Sequence, residues 1–147
     1  MSVTEEKRSQ FIAVMFNLVR SLKKESETCC KLCGPVSEKE LFLIVCVGQH
    51  QQVTMSEVAA TLEVPLSTLT SIVDKLVEKK YLLRGHSDED RRVVHVALAA
   101  KGKESYKLFL RQKRLMAEKV LAQLDEKEQN NLLQAIDGLA TSMEATK

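Results

Sequence analysis

Three thiols crowd five consecutive positions of this chain, in Cys29-Cys30-x-x-Cys33, directly ahead of Gly34 and Pro35. Cysteine and histidine at such short spacings could hold zinc or another thiophilic metal ion. A solvent-facing thiolate could instead react with a peroxide or an electrophile and close a disulfide. Cys46 and His50 stand one helical turn apart, so they share a face. Cys29, Cys30, Cys33, Cys46 and His50 are therefore the candidate sensor residues or metal ligands. Cys46 also reads as an ordinary core residue, since cysteine packs as a small hydrophobe. His50 also reads as a polar residue at a helix end. No cofactor is indicated apart from such a metal.

A second set of residues suits another chemistry. Ser67, Thr68, Thr70 and Ser71 lie on the open side of one predicted helix. Small hydroxyls can reach base edges and phosphates in a major groove without obstruction. Lys75, Lys79 and Arg84 follow closely enough to touch the phosphate backbone. Arg91 and Arg92 stand at the polar tip 85–92, where a neighbouring minor groove, with its concentrated negative potential, would attract them. The candidate DNA contacts are Ser67, Thr68, Thr70, Ser71, Lys75, Arg84, Arg91 and Arg92. His86 and His95 read as solvated surface. The net charge is only +2, but residues 75–114 carry twelve Lys and Arg against five Asp and Glu. Such a local excess is a footprint for phosphates, or else a solvated face rich in lysine.

The elements that must position these residues read mostly as helices. Ser2 and Glu5 have capping-box spacing, and Phe11, Met15, Leu18, Val19 and Leu22 continue at helical period into the high twenties. Ser37 and Glu40 open a helix that is apolar nearly all round and so predicted buried. Thr54 and Glu57 open a short one. Pro65 is predicted in the first turn of the next, which runs to about Lys80 with Leu69, Ile72, Val73, Leu76 and Val77 inward. Residues 81–84 and 93–98 then have strand composition around the charged tip, which predicts a β-hairpin. A long helix follows from about Lys101 to Gln123, and Asp125 with Glu128 caps a last one. The fold class is mainly α with a small β-hairpin wing: a winged helix-turn-helix of about six helices.

With 147 residues, 44% hydrophobic and 29% charged, the chain suits a single domain. No apolar run approaches the ~20 residues of a membrane span, so no membrane partner is expected. The N-terminus lacks a signal-peptide layout, which predicts a cytoplasmic protein with reduced thiols. An enzyme is not expected: there is no Gly-rich phosphate loop, no HExxH and no convincing nucleophile-base-carboxylate set. A winged-helix protein-interaction module without DNA binding is the alternative reading.

The stretch Ser56-Glu57-Val58-Ala59, Ser67-Thr68-Leu69-Thr70 and Val73-Asp74-Lys75-Leu76-Val77-Glu78-Lys79 resembles the MarR family of transcriptional regulators. So does the wing Asp88-Glu89-Asp90-Arg91-Arg92-Val93-Val94, followed by Leu98 and Lys101-Gly102. The resemblance implies one MarR-like domain over 1–147, with dimerisation helices in 1–36 and 100–147 and a DNA-binding lobe at 37–99. It implies a homodimer on a pseudo-palindromic double-stranded operator, acting as a repressor relieved by an effector. It also implies that Arg92 enters the minor groove and that Asp90 holds the wing by ion pairing. Ser71, Lys80, Ala99 and Pro65 depart from the family's usual Arg, Gly, Thr and Ser.

Overall fold

The computed structural model describes residues 2–146. Among them, six helices and three short strands follow one another as α1 (Glu5–Leu32), α2 (Glu38–Gly48), β1 (Val53–Thr54), α3 (Met55–Leu62), α4 (Leu66–Glu78), β2 (Leu82–His86), β3 (Val94–Leu98), α5 (Ala100–Leu121) and α6 (Glu126–Glu144). The chain divides into two compact units, Met1–Phe109 and Leu110–Lys147.

Helix starts follow local side-chain chemistry. Ser37 with Glu40, Thr54 with Glu57 and Asp125 with Glu128 all form complete capping boxes. The first helix differs from expectation. Thr4, not Ser2, caps it and accepts from the Lys7 N–H at 3.3 Å. This start puts Glu5 and Glu6 in the first turn, where carboxylates favour the positive helix end. Pro65 likewise sits just outside α4, in extended conformation, rather than within its first turn.

In the first unit, α2 supplies Leu43, Ile44 and Val47 to a core shared with Val58 of α3, with Leu69, Val73 and Leu76 of α4, and with Leu82 and Val96 of the sheet. The sheet is antiparallel with order β1-β3-β2. Val96 of the central strand faces Val53 on one side and Arg84 on the other. The strand β1 was not foreseen, because two residues are too few for any periodicity to register. A smaller apolar cluster gathers Cys29, Cys33 and Leu41 with flanking Leu108 and Phe109.

Helix α4 ends two residues earlier than expected, in a Schellman closure. The Tyr81 N–H returns to Leu76 O at 2.8 Å and the Lys80 N–H to Val77 O at 3.0 Å. That geometry puts Lys80 in the left-handed region, at φ 65°. In the second unit, Gln129 Nε2 donates to the carbonyls of Leu121 and Leu124 at 3.0 and 3.1 Å. It thereby satisfies acceptors left open at the end of α5.

Candidate nucleic-acid interface

Leu69, Val73 and Leu76 bury one side of α4, so Ser67, Thr68, Ser71, Asp74 and Lys75 stand exposed on the other. The Thr70 hydroxyl donates to Leu66 O at 2.8 Å and the Ser71 hydroxyl to Ser67 O at 3.3 Å. Each hydroxyl oxygen keeps acceptor capacity while its proton is so engaged. Thr70 also lines a cleft of about 650 Å3 with Arg84 and His86 of β2, Arg92 of the wing, and Thr54 and Ser56 at the start of α3. The structure thus brings Thr70, Arg84 and Arg92 to one concavity. Ser67, Thr68, Ser71 and Lys75 remain on the open helix face, and Arg91 is exposed at the tip.

The wing tip, residues 87–93, is held by its own hydrogen bonds. Ser87 N–H donates to Val93 O at 2.9 Å, and Val93 N–H to Asp90 O at 3.0 Å. Asp90 Oδ1 accepts the backbone N–H of Arg92 at 2.9 Å. Among the described residues no ion pair involves Asp90. The expected ion pairing is therefore corrected: Asp90 holds the wing through an Asx-type turn to the main chain, which suits a short carboxylate two residues before its partner.

Two cations expected near phosphates are engaged internally. Arg84 Nη1 pairs with Asp74 Oδ1, tying β2 to α4. Lys79 Nζ lies 3.2 Å from Glu40 Oε1 and so turns toward the start of α2. Glu40 is only 8% exposed. Burial pushes its carboxyl up, but the Ser37 N–H and Lys79 outweigh that and hold it below its ordinary range.

The MarR family model matches residues 36–94, which span α2 through the wing tip. Over that span the chain is similar to the MarR family. It is 30% identical over 93 residues to the HTH-type transcriptional repressor MdtR of Bacillus subtilis, across 63% of this chain and 60% of that relative. The match therefore spans less than two thirds of MdtR's length. It is also similar to Streptococcus pneumoniae FabT, solved in complex with DNA, at 29% identity and TM-score 0.80, covering 98% of this chain and 100% of that one. A MarR family protein from Bacillus stearothermophilus has the same fold, with TM-score 0.81 at 16% identity over 97% and 99% of the two chains.

Within this fold, the cysteines do not form one group. Cys46 packs in the larger core, and burial raises its thiol above the usual range. His50 follows the end of α2 and is exposed. Cys29 and Cys33 are each 2% exposed, with their sulfurs 3.8 Å apart, and Cys30 is half-buried beside them. None of the four is in a disulfide. Among the described residues no group of three or more His, Cys, Asp or Glu is placed to hold a metal ion. The metal expectation for Cys29, Cys30, Cys33, Cys46 and His50 as a set is therefore corrected. Cys46 points into the core of the lobe, and His50 falls beyond the helix that was to align it.

His86, read from the sequence only as solvated surface, also lines the cleft. Its Nδ1 lies 2.9 Å from Arg91 O, an acceptor, so Nδ1 carries the proton and His86 donates across the tip. His86 is exposed, as expected, but His95 is not solvated surface. It is half-buried in β3 opposite Thr54 and Gly85, and its buried Nδ1 has no hydrogen-bond partner. Pairing across a hairpin gives both histidines their surroundings, and linear spacing carries no signal for it.

Proposed function

We propose that this chain is a sequence-specific double-stranded DNA-binding transcriptional regulator, a repressor working as a homodimer in the cytoplasm. The observation that carries this reading is the convergence of Thr70, Arg84 and Arg92 on the cleft between recognition helix and wing. The α4 face would enter a major groove and the Arg91-Arg92 tip an adjacent minor groove. The likeness to FabT, solved in complex with DNA, supports it. Pairing is supported by the apolar face of α1: Phe11, Ile12, Val14 and Phe16 are each more than half exposed, as are Leu133 and Ile136 of α6. Two such lobes would read half-sites of a pseudo-palindromic operator about 34 Å apart. The signal that relieves repression is a small molecule or oxidation of the Cys29–Cys33 segment. Either acts by changing the spacing of the two recognition helices.

The test is selection of bound duplexes from a random library, followed by anisotropy titration of an enriched duplex at several salt concentrations. The reading expects an enriched palindrome and a log-log salt slope of about −0.9 per phosphate neutralised. Arg92→Ala should weaken binding about tenfold or more, as expected for loss of a groove-inserted arginine. Binding without sequence enrichment, or without salt dependence, overturns it.

A further inference from the structure

The two sulfurs of Cys29 and Cys33 lie 3.8 Å apart inside the smaller apolar cluster, at the last turn of α1. Cys33 is the C-cap residue. Its N–H closes the final turn on Cys29 O at 3.0 Å, and Gly34 follows at φ 117°. Helical neighbours four apart hold their Cβ atoms about 5–6 Å apart. A disulfide needs Cβ atoms about 3.5–4.5 Å apart and sulfurs about 2.05 Å apart. Joining the two sulfurs therefore requires the backbone to close by about 1–2 Å. Cys33 is the partner that moves, because Cys29 is locked within the helix while Cys33 ends it beside a glycine.

Two other elements rest on this corner. Ser105 of α5, buried, donates its hydroxyl to Cys33 O at 2.7 Å. The Tyr81 hydroxyl packs on Gly34 so closely that a Cβ there would meet it at 2.8 Å. Tyr81 in turn closes the recognition helix through Leu76 O and receives the Ala99 N–H that starts α5 at 3.0 Å. A shift of Cys33 and Gly34 thus presses on the residue that ends α4 and on the helix that follows the wing.

We propose that Cys29 and Cys33 are a redox pair whose oxidation to an intrachain disulfide displaces this corner and resets the recognition helix through Tyr81 and Ser105. The oxidant class is a hydroperoxide. One thiol attacks the peroxide oxygen and becomes a sulfenic acid as the O–O bond breaks and the alcohol, or water, leaves. The second thiol then displaces water from that sulfur. Two thiols and one hydroperoxide give one disulfide, one alcohol and one water. Access comes through opening of the last turn, since helix ends open at the least free energy. The effect on DNA rests on the function proposed above; the disulfide and the displaced corner do not.

The test treats reduced full-length protein with hydrogen peroxide and reads three signals. Peptide mass mapping should place an intrachain disulfide at Cys29–Cys33. Emission from the chain's two tyrosines, Tyr81 and Tyr106, unmasked by any tryptophan, should shift and return on reduction. Affinity for an enriched duplex should fall about tenfold. Cys30→Ser should respond as the parent does, and Cys33→Ser and Cys29→Ser should show none of the three changes. If Cys33→Ser misfolds by circular dichroism, Cys33→Ala and Cys29→Ser carry the comparison. A disulfide through Cys30 or between chains, oxidation that stops at sulfinic acid, or a Cys29–Cys33 disulfide with unchanged tyrosine emission overturns the proposal. If reduced protein binds no duplex, the DNA-binding reading fails, while mapping and emission still decide the switch.

Discussion

Lys79, the C-cap of α4, reaches back across 39 residues to Glu40, which has already capped α2. One Glu40 oxygen, Oε2, accepts the Ser37 N–H at 2.9 Å, and Oε1 accepts Lys79 at 3.2 Å. The pair joins the start of one core helix to the finish of another. Glu40→Ala removes both the cap partner and the anion, and should destabilise by about 1–2 kcal/mol in urea unfolding. Lys79→Ala should have a smaller effect, because its side chain is 43% exposed and the pair is screened. The pH dependence follows from the lowered carboxyl. An unfolded glutamate titrates near 4.5 and the folded Glu40 lower, so its contribution is complete above 4.5 and disappears as pH falls through the folded value. Glu40→Gln should flatten that acid limb.

The wing tip distinguishes a hydrogen bond from an ion pair. Asp90→Asn keeps an oxygen for the Arg92 N–H and should preserve the tip, measured as protection of the Arg92 amide from exchange. Asp90→Ala should lose that protection and about 1 kcal/mol. Equal loss in both variants would restore the electrostatic account.

Lys80 adopts φ 65° without being glycine. Lys80→Gly should therefore stabilise the protein by about 0.5–1 kcal/mol, the left-handed strain relieved less the added chain entropy. A rise in the thermal midpoint checks it.

Gly102 has no such slack. A Cβ there would lie 2.1 Å from Tyr81 O, a main-chain atom that cannot swing away. Gly102→Ala should cost about 3 kcal/mol or prevent folding, read from the unfolding midpoint.

The apolar face of α1 gives a prediction about assembly. Phe16 is 69% exposed, and Phe16→Glu on a monomer would change stability by only about 0.5 kcal/mol or less. On a homodimer it should halve the sedimenting mass.

Much of the lobe was legible because its signals are local. Two capping boxes, Ser37 with Glu40 and Thr54 with Glu57, and the strand composition of residues 93–98 each act within a few residues. The departure of Lys80 from glycine was legible for the same reason, and its left-handed backbone follows. What escaped reading depends on partners far along the chain. Val53 becomes a strand only against Val96, Arg84 is occupied only because Asp74 is across from it, and His86 finds Arg91 O only when the hairpin closes. The cysteines were visible by spacing, but spacing could not tell that Cys29 faces Cys33 while Cys46 belongs to the other core.

The Arg84–Asp74 pair has a consequence for recognition on the proposed face. A phosphate or base that takes Arg84 must win it from a carboxylate already in place, and it leaves Asp74 facing the duplex. The net gain is a difference between two contacts, so only a ligand whose acceptor matches the guanidinium in position collects it. Arg84 then acts as a comparator of geometries, with Asp74 as the built-in reference against which each sequence is weighed.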